Sequence, residues 1–432
     1  MSELGPARDR FVALARSVAA GRSGEPDALR ARRGEALAAF ADAGFPSTRQ
    51  EEWRYTDLAP VARIPFELAA PGPVDRAAVE AIAAPFFACS AFVFVDGRFA
   101  PELSTPGGGA GGVRVRGLAS GVPAIFGTLA DEKQHSFAAL NTALFSDGAF
   151  LEVPAGLEAP QPIHLVFVST GGGAPRATFP RVAIEAAPGS RALVVQDHVT
   201  LGSGPTLTVP VTEVAVGENA ALELVVLQRE EDAAWHIGNV SARVARDARL
   251  ATRTLTLGGA GVRNDLGAVL AAPGAECDLD GLFHGAGSRW VDNHTTVDHA
   301  APHGTSRELY KGILADRSRG VFRGRIVVRP DAQKTDARQS NANVLVGSGA
   351  EIDTKPQLEI WADDVRCTHG ASIGRLDETA LFYLRSRGIG LAAARDLLLR
   401  GFAAEVLRKI GSEPLAEALG DLLLARLRGV AP

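Results

Sequence analysis

The sequence of 432 residues is long enough for two or three structural units with a large core. Its 46% apolar and 22% charged residues are typical of a globular protein, and a net charge of −5 argues against a general nucleic-acid-binding role. The amino terminus is polar, so we expect no signal peptide, and no apolar run is long enough to predict a membrane span. Three widely separated cysteines without a CxxC motif predict a reducing, cytoplasmic location.

Residues 1–125 are predicted to form a mostly helical amino-terminal region with some β structure. Apolar residues such as Phe11, Leu14 and Val18 recur at three- and four-residue steps between residues 6 and 43. The segment from Gly21 to Pro26 divides this stretch into two helices.

Residues 126–374 are predicted to form a β core, because short alternating apolar stretches end there at Gly, Pro, Asn or Asp. A small residue that enters a turn and then a strand recurs at nearly equal intervals, at Ser190, Ala220, Ala248, Ala275, Gly304 and Ala332. A further copy, GSGAEIDT, places its small residue at Ala350, after a much shorter interval. A near-constant period of about 28 residues favours a solenoid of stacked coils, and the alternative is an irregular β-sandwich with evenly spaced turns.

Residues 375–432 are predicted to form a helical carboxy-terminal domain. Asp377 is a candidate N-cap of its first helix, which is expected to stop at Gly388. Apolar stripes then predict three more helices over residues 391–400, 402–410 and 414–427.

The chain lacks the motifs of a stand-alone enzyme. None of its five lysines follows a glycine, so it has no GK[ST] motif to hold the phosphates of a nucleotide. We therefore expect that the chain binds no nucleotide.

The best metal candidate lies between Trp361 and Gly370. If this stretch is a strand, Asp363, Cys367 and His369 share one face. Sulfur and nitrogen ligands suit Fe²⁺, Zn²⁺ or an iron–sulfur cluster, but two ligands do not complete a coordination sphere. The alternative is a buried structural cysteine beside a hydrogen-bonded histidine.

Other polar and cysteine positions are interpreted structurally. His294, His299 and His303 are expected to be ordinary residues of a solvated strand and turn, because their spacing does not place them on one face. Cys277 and Cys89 are expected to be buried core residues. The charged stretch 316–325 is either a partner-facing surface or a solvated sheet face.

Two motifs lie at Thr48–Leu58 (TRQEEWRYTDL) and at Tyr310–Leu314 (YKGIL). They resemble an amino-terminal signature and a strand of the SufB/SufD family of iron–sulfur cluster assembly scaffold proteins. Residues 339–389 add QSNAN, TKPQLEI, CTHGA and FYLRSRGI. The CTHGA motif resembles the SufD form more than the SufB form, with Thr368 and Ser372 as conservative departures.

The resemblance implies a mainly β protein with a right-handed parallel β-helix between helical ends. It implies a non-catalytic subunit of a SufB–SufC–SufD assembly complex, which pairs with a SufB-like protein through the β-helix and docks a SufC-like ATPase on the carboxy-terminal helices. A transient iron–sulfur cluster or iron would lie at the interface with SufB, with His369 as a ligand and Cys367 at the matching cysteine of the family motif. A homodimer of the isolated chain also remains open.

Two alternatives from other classes remain. A carbohydrate-active β-helix enzyme would need clustered carboxylates, for which Asp278, Asp280, Asp292 and Asp298 are the candidates. A purely structural interaction protein would have no metal role for Cys367 and His369.

Overall fold

A computed structural model of the chain describes residues 4–22, 24–70, 72–83, 90–104 and 111–427. The helices are α1 (Leu4–Ala20), α2 (Asp27–Ala43), α3 (Ala59–Ala62), α4 (Arg76–Ala83), α5 (Ser136–Leu144), α6 (Glu378–Ser386), α7 (Leu391–Leu407) and α8 (Glu413–Leu427). The strands are β1 (Glu67–Leu68), β2 (Ser90–Val95), β3 (Arg98–Phe99), β4 (Arg114–Gly117), β5 (Gly148–Val153), β6 (Ile163–Thr170), β7 (Arg176–Thr178), β8 (Arg181–Ala186), β9 (Arg191–Leu201), β10 (Thr206–Thr208), β11 (Val211–Val216), β12 (Ala221–Gln228), β13 (Ala234–Val244), β14 (Arg249–Thr256), β15 (Gly261–Leu270), β16 (Glu276–Gly285), β17 (Trp290–His299), β18 (Thr305–Ala315), β19 (Arg319–Val328), β20 (Asp336–Val346), β21 (Glu351–Ile360) and β22 (Arg366–Gly374).

The core is a parallel β-solenoid of about eight turns, with helices at both ends of the chain. From β11 onward, consecutive strands alternate between two sheets, which run β21-β19-β17-β15-β13-β11 and β22-β20-β18-β16-β14-β12. Each strand pairs in parallel with the strand two positions along the chain. The predicted mainly β class and the solenoid are therefore confirmed, and the sandwich alternative is wrong.

One corner of the coils explains the sequence period. A residue with positive φ occupies this corner in six successive coils, at Gly189, Asn219, Asp247, Gly274, His303 and Lys334. The backbone N–H of each of the first five donates to the carbonyl of the residue that precedes the next corner residue, and that of Lys334 donates to the carbonyl of Asp364, so hydrogen bonding continues from coil to coil through the turns. Glycine, asparagine and aspartate tolerate this conformation best, which accounts for the turn signal in the sequence.

The last predicted repeats need correction. Five of the predicted small residues directly follow a corner residue, but the sixth such position is Thr335 rather than Ala332. The last of these intervals therefore runs from Gly304 to Thr335. The segment GSGAEIDT leads into β21, which belongs to the opposite sheet, so its short spacing is not a coil period.

The amino-terminal helices α1, α2 and α5 pack together on the solenoid around a cluster of aromatic residues that includes Phe11, Phe40, Phe137 and Phe179. The strand β2 pairs in parallel with β6, so β structure that precedes residue 126 continues the ten-stranded sheet. The division into units at residues 125 and 374 stays a prediction. No helix among the described residues has the length and apolar character that a membrane crossing requires.

The carboxy-terminal helices begin as predicted, since the Asp377 carboxylate accepts hydrogen bonds from the backbone of Thr379 and Ala380 at the start of α6. However, α7 runs without interruption through Gly401, where two helices were predicted. A glycine inside a helix costs about 1 kcal/mol. Burial of Ala403 and Val406 against the solenoid offsets this cost.

The interior of the solenoid is polar near its carboxy-terminal end. Glu308 on β18 and Gln339 on β20 occupy the same position in adjacent coils, and Gln339 Nε2 donates to Glu308 Oε2 over 2.6 Å. Burial raises the pKa of Glu308 to about 7, while hydrogen bonds from Thr295 and Gln339 act in the opposite direction.

The raised pKa of Glu308 predicts that the free energy of unfolding depends on pH. Because its pKa is higher in the folded than in the unfolded chain, the protonated form stabilises the fold below about pH 4.5, and this contribution is lost as the pH rises through about 7. Glu308→Gln removes the charge and keeps an acceptor for Gln339. We expect urea unfolding to show a variant more stable than the wild type at pH 8 by up to ~3 kcal/mol, with no difference at pH 4. A difference that is independent of pH would contradict the assignment.

Candidate functional site

Cys367 and His369 lie on β22, the last strand of the solenoid, in register with Ala337 and Gln339 of β20. Since Ala337 and Gln339 are buried, alternation places Cys367 and His369 on the face that continues the interior. The prediction that these two side chains share a strand face is therefore confirmed. Asp363 lies in the turn before the strand and is not part of that face.

The coil formed by β21 and β22 is the end of the solenoid. Within the described residues, β21 pairs only with β19 and β22 only with β20. As a result His369 is exposed and Ile373 is 51% exposed, whereas Gln339 one coil earlier is 2% exposed. The end of the solenoid thus presents an interior face and two free strand edges.

Cys367 has a different environment from His369. It is half-buried and packs against an apolar cluster that includes Ile326, Val328 and Ala337. Burial raises the pKa of the Cys367 thiol above its usual value, with a smaller contribution from the charge of Asp336. A metal would therefore have to displace the thiol proton at this position.

No group of three or more His, Cys, Asp or Glu side chains close enough to hold a metal occurs in the described part of the chain. Cys367 and His369 therefore offer at most two such ligands.

Large apolar side chains are exposed at this end of the molecule. Ile360, Trp361 and Ile373 are exposed at the last coil, and Phe382 and Tyr383 on α6, where Phe382 is 73% exposed. Large apolar side chains exposed close together along the chain are typical of interaction sites.

The histidines between residues 292 and 303 were predicted to be solvated, and only one of the three is. His294 points away from the solenoid interior but is largely buried, and its Nε2 lies 2.9 Å from Asp292 Oδ1. His299 is fully buried, with its Nε2 2.9 Å from the Ser306 hydroxyl. His303 alone is exposed, at a corner of the solenoid. The prediction that the three do not share one face is confirmed.

The amino-terminal signature docks onto the outer surface of the solenoid beside His294. The Arg263 guanidinium lies 3.7 Å from the centre of the Trp53 ring, and Arg323 pairs with Glu52. The contact with His294 is the main cause that lowers the pKa of Glu52 to about 2. Burial alone would lower the pKa of His294, but the nearby carboxylates of Asp292 and Glu52 raise it. Sequence reasoning found the signature but not this charge cluster.

The four candidate carboxylates of a carbohydrate-active enzyme do not form a cluster. Asp278 and Asp280 lie on β16 and Asp292 and Asp298 on β17, in opposite sheets. Each carboxylate pairs with an arginine: Asp278 with Arg249, Asp280 with Arg253, Asp292 with Arg263, and Asp298 with Arg329.

The charged stretch 316–325 is largely paired within the chain, since Arg319 and Arg325 bind Asp353 and Glu359 of β21. Cys277 is buried as predicted. Cys89 lies outside the described residues.

Sequence reasoning also missed the two polar residues behind His369. Glu308, Gln339 and His369 follow one another at nearly equal spacings and share one register position. The coil period could have shown that these three residues share a register position. The last repeat was, however, predicted at Ala332, which does not lie at the corner.

Two family models match consecutive parts of the chain. The SufBD protein N-terminal region matches residues 15–165, and the SufBD core domain of SUF system FeS cluster assembly matches residues 167–402.

Curated relatives agree with these matches. SufD of Escherichia coli K12 is 32% identical over 391 residues, which cover 90% of each chain. A SufBD family protein of Synechocystis is 31% identical over 392 residues, 88% of this chain and 86% of the relative. SufD of Bacillus subtilis is 26% identical over 297 residues, 68% of each chain. The chain therefore belongs to the SufBD family of iron–sulfur cluster assembly proteins of the SUF system.

Proposed function

We propose that the chain is a non-catalytic scaffold subunit that pairs with a SufB-like protein through its last coil, docks a SufC-like ATPase on its carboxy-terminal helices, and contributes His369 to a nascent iron–sulfur cluster. The observation that carries the proposal is the position of His369, exposed on the last strand of the solenoid beside an unpaired strand edge. The cluster or its iron is the cargo of the complex.

The chemistry of the last coil supports a shared ligand set. An exposed imidazole can reach an ion held between two proteins, and a second protein has to supply the ligands that this chain lacks. Cys367 sits two residues away on the same face, but its apolar packing favours a structural role over a first ligand role.

The free edges of β21 and β22 support pairing with a second β-helix. Solenoid ends normally need a cap, and unpaired edge strands add strands from a partner by main-chain hydrogen bonds. The exposed Ile360, Trp361 and Ile373 supply apolar area for such an interface. A related β-helix provides both a matching edge and a matching end.

The carboxy-terminal helices support docking of the ATPase. The exposed Phe382 and Tyr383 lie on α6, while α7 and α8 pack on the outer surface of the ten-stranded sheet. Polar contacts tie α7 and the turn that follows it to that sheet. Lys311 Nζ donates to the Phe402 carbonyl of α7 over 3.1 Å, and Nζ of Lys409, in the turn, lies 2.8 Å from Asp280 Oδ1. Motion of the ATPase would reach the solenoid through these contacts.

Loss of the imidazole tests the ligand role. We expect His369→Ala to leave complex formation intact and to lower the visible absorption of the anaerobically reconstituted complex by about tenfold, since one ligand is missing. His303→Asn is the matched control, because it removes an exposed histidine and asparagine tolerates positive φ. Unchanged absorption in His369→Ala would leave a scaffold without a metal role for this residue.

Pairing through the last coil is tested at Ile373. Ile373→Asp places a carboxylate in the proposed interface, which costs roughly 3 kcal/mol, or about a hundredfold in Kd. In co-purification we expect this variant to lose the SufB-like partner and to retain the ATPase. Retention of both partners would show that the last coil is not the interface.

Docking of the ATPase is tested at Phe382 by the reciprocal experiment. Phe382→Asp on the exposed face of α6 should weaken ATPase binding by about a hundredfold and leave the SufB-like partner bound. Because each of the two aspartate variants is the control for the other, loss of both partners in either one would indicate misfolding.

A further inference from the structure

The helix α6 has no buried side chain. Its nine residues pack on α7, but all of them are exposed or half-buried, and Phe382 and Tyr383 are 73% and 57% exposed. In contrast, α7 buries five residues and α8 buries six. Isolated helices shorter than about 12–15 residues are marginal in water, and most helices in proteins are stabilised by the burial of one face. The rest of the chain therefore gives α6 little of the stabilisation that a helix of this length needs.

The sequence nevertheless specifies both ends of α6. At its start, Asp377 Oδ1 accepts hydrogen bonds from the backbone N–H of Thr379 over 2.8 Å and from that of Ala380 over 3.2 Å. At its end, Gly388 has a φ of +85°, and its N–H and that of the next residue donate to carbonyls of the last turn. This pair of hydrogen bonds is the Schellman motif, which ends helices at glycine. The chain thus defines where α6 begins and ends but does not supply a surface that covers it.

The surface around α6 is basic, although the whole chain carries a net charge of −5. Residues 375–400 contain five arginines and three acidic residues, which leaves a local net charge of +2. Arg375, Arg385 and Arg400 are exposed, and none of them forms an ion pair with another described residue. A partner that fits this surface would offer an apolar pocket for the two aromatic rings of α6 and carboxylates around it.

We propose that α6 is a docking element that becomes a stable helix only when the SufC-like ATPase covers it. The identity of the occupant rests on the proposed function, whereas the marginal stability of α6 in the free chain does not. Part of the binding free energy then orders the helix, as in other interfaces that fold on binding. A change that stabilises or destabilises α6 in the free chain should therefore tighten or weaken docking, even where it adds or removes no contact with the ATPase.

Hydrogen exchange of the full-length chain, alone and with the ATPase, tests the ordering of α6. In the chain alone we expect the amides of α6 to exchange nearly as fast as those of an unfolded peptide, while the amides of α7 are protected. In the complex we expect exchange in α6 to slow by about tenfold or more. Protection of α6 in the isolated chain equal to that of α7 would overturn the proposal. Protection that appears with the SufB-like partner alone, or with a rising concentration of the chain alone, would overturn the ATPase as the occupant.

Substitution of the N-cap tests whether the ordering of α6 contributes to affinity. Asp377→Ala removes the cap and should weaken binding of the ATPase by about fivefold. Asp377→Asn is the matched control, because it removes the same charge while asparagine caps a helix as well as aspartate does. We expect this control to bind as the wild type does, and the melting curves of both variants to match that of the wild type. Equal affinities of the two variants, whether normal or weakened, would overturn the link between helix formation and binding.

The two proposals fail separately. Binding of the ATPase that leaves α6 unprotected overturns the ordering of α6, while docking on the carboxy-terminal helices stands. A wild-type chain that binds no ATPase overturns the proposed docking and, with it, the occupant named here.

Discussion

Parallel stacking of coils in register is the constraint on which the rest of the structure depends. Each strand satisfies its backbone groups only through the strands of the coils before and after it, and each inward side chain is buried only by its neighbours in the same register position. Gln339 is buried because β22 lies beyond it, and His369 is exposed because no strand of the described chain lies beyond β22. The last coil is therefore half of a structural unit. The residues of the proposed function lie in that coil, where inward side chains are left uncovered within the described chain.

The repeat was readable from the sequence because its corner has a strict conformational requirement. Positive φ at Asn219, Asp247 and Gly274 selects the few residue types that tolerate it, and these residues recur at the coil period. The signal failed where the chain used a less usual residue, Lys334, at the same corner. That one slip placed the last repeat at Ala332 and concealed the alignment of Glu308 with Gln339. Local patterns also predicted a helix break at Gly401, which packing against the solenoid overrides.

Contacts between distant segments could not be predicted from local patterns. The sequence identified the signature around Trp53, and alternation placed His294 and His299 on opposite faces. Neither observation indicated that Trp53 stacks on Arg263 or that Glu52 meets His294, because the partners lie far apart along the chain. Such charges are buried only after the helical region docks on the solenoid. In contrast, Cys367 and His369 were found together because both lie on one strand, where two-residue alternation is enough.

The strand β18 makes polar contacts on both of its faces. Glu308 points into the interior toward Gln339, while Lys311, three residues later and on the opposite face, holds the carbonyl of Phe402 on α7. A β-strand transmits displacement along its length, because its hydrogen bonds to β16 and β20 resist shear between coils. The strand that contacts α7 through Lys311 is therefore the strand that carries the buried Glu308. The strand β18 thus contacts α7 on its outer face and is separated from the last coil by one strand, β20.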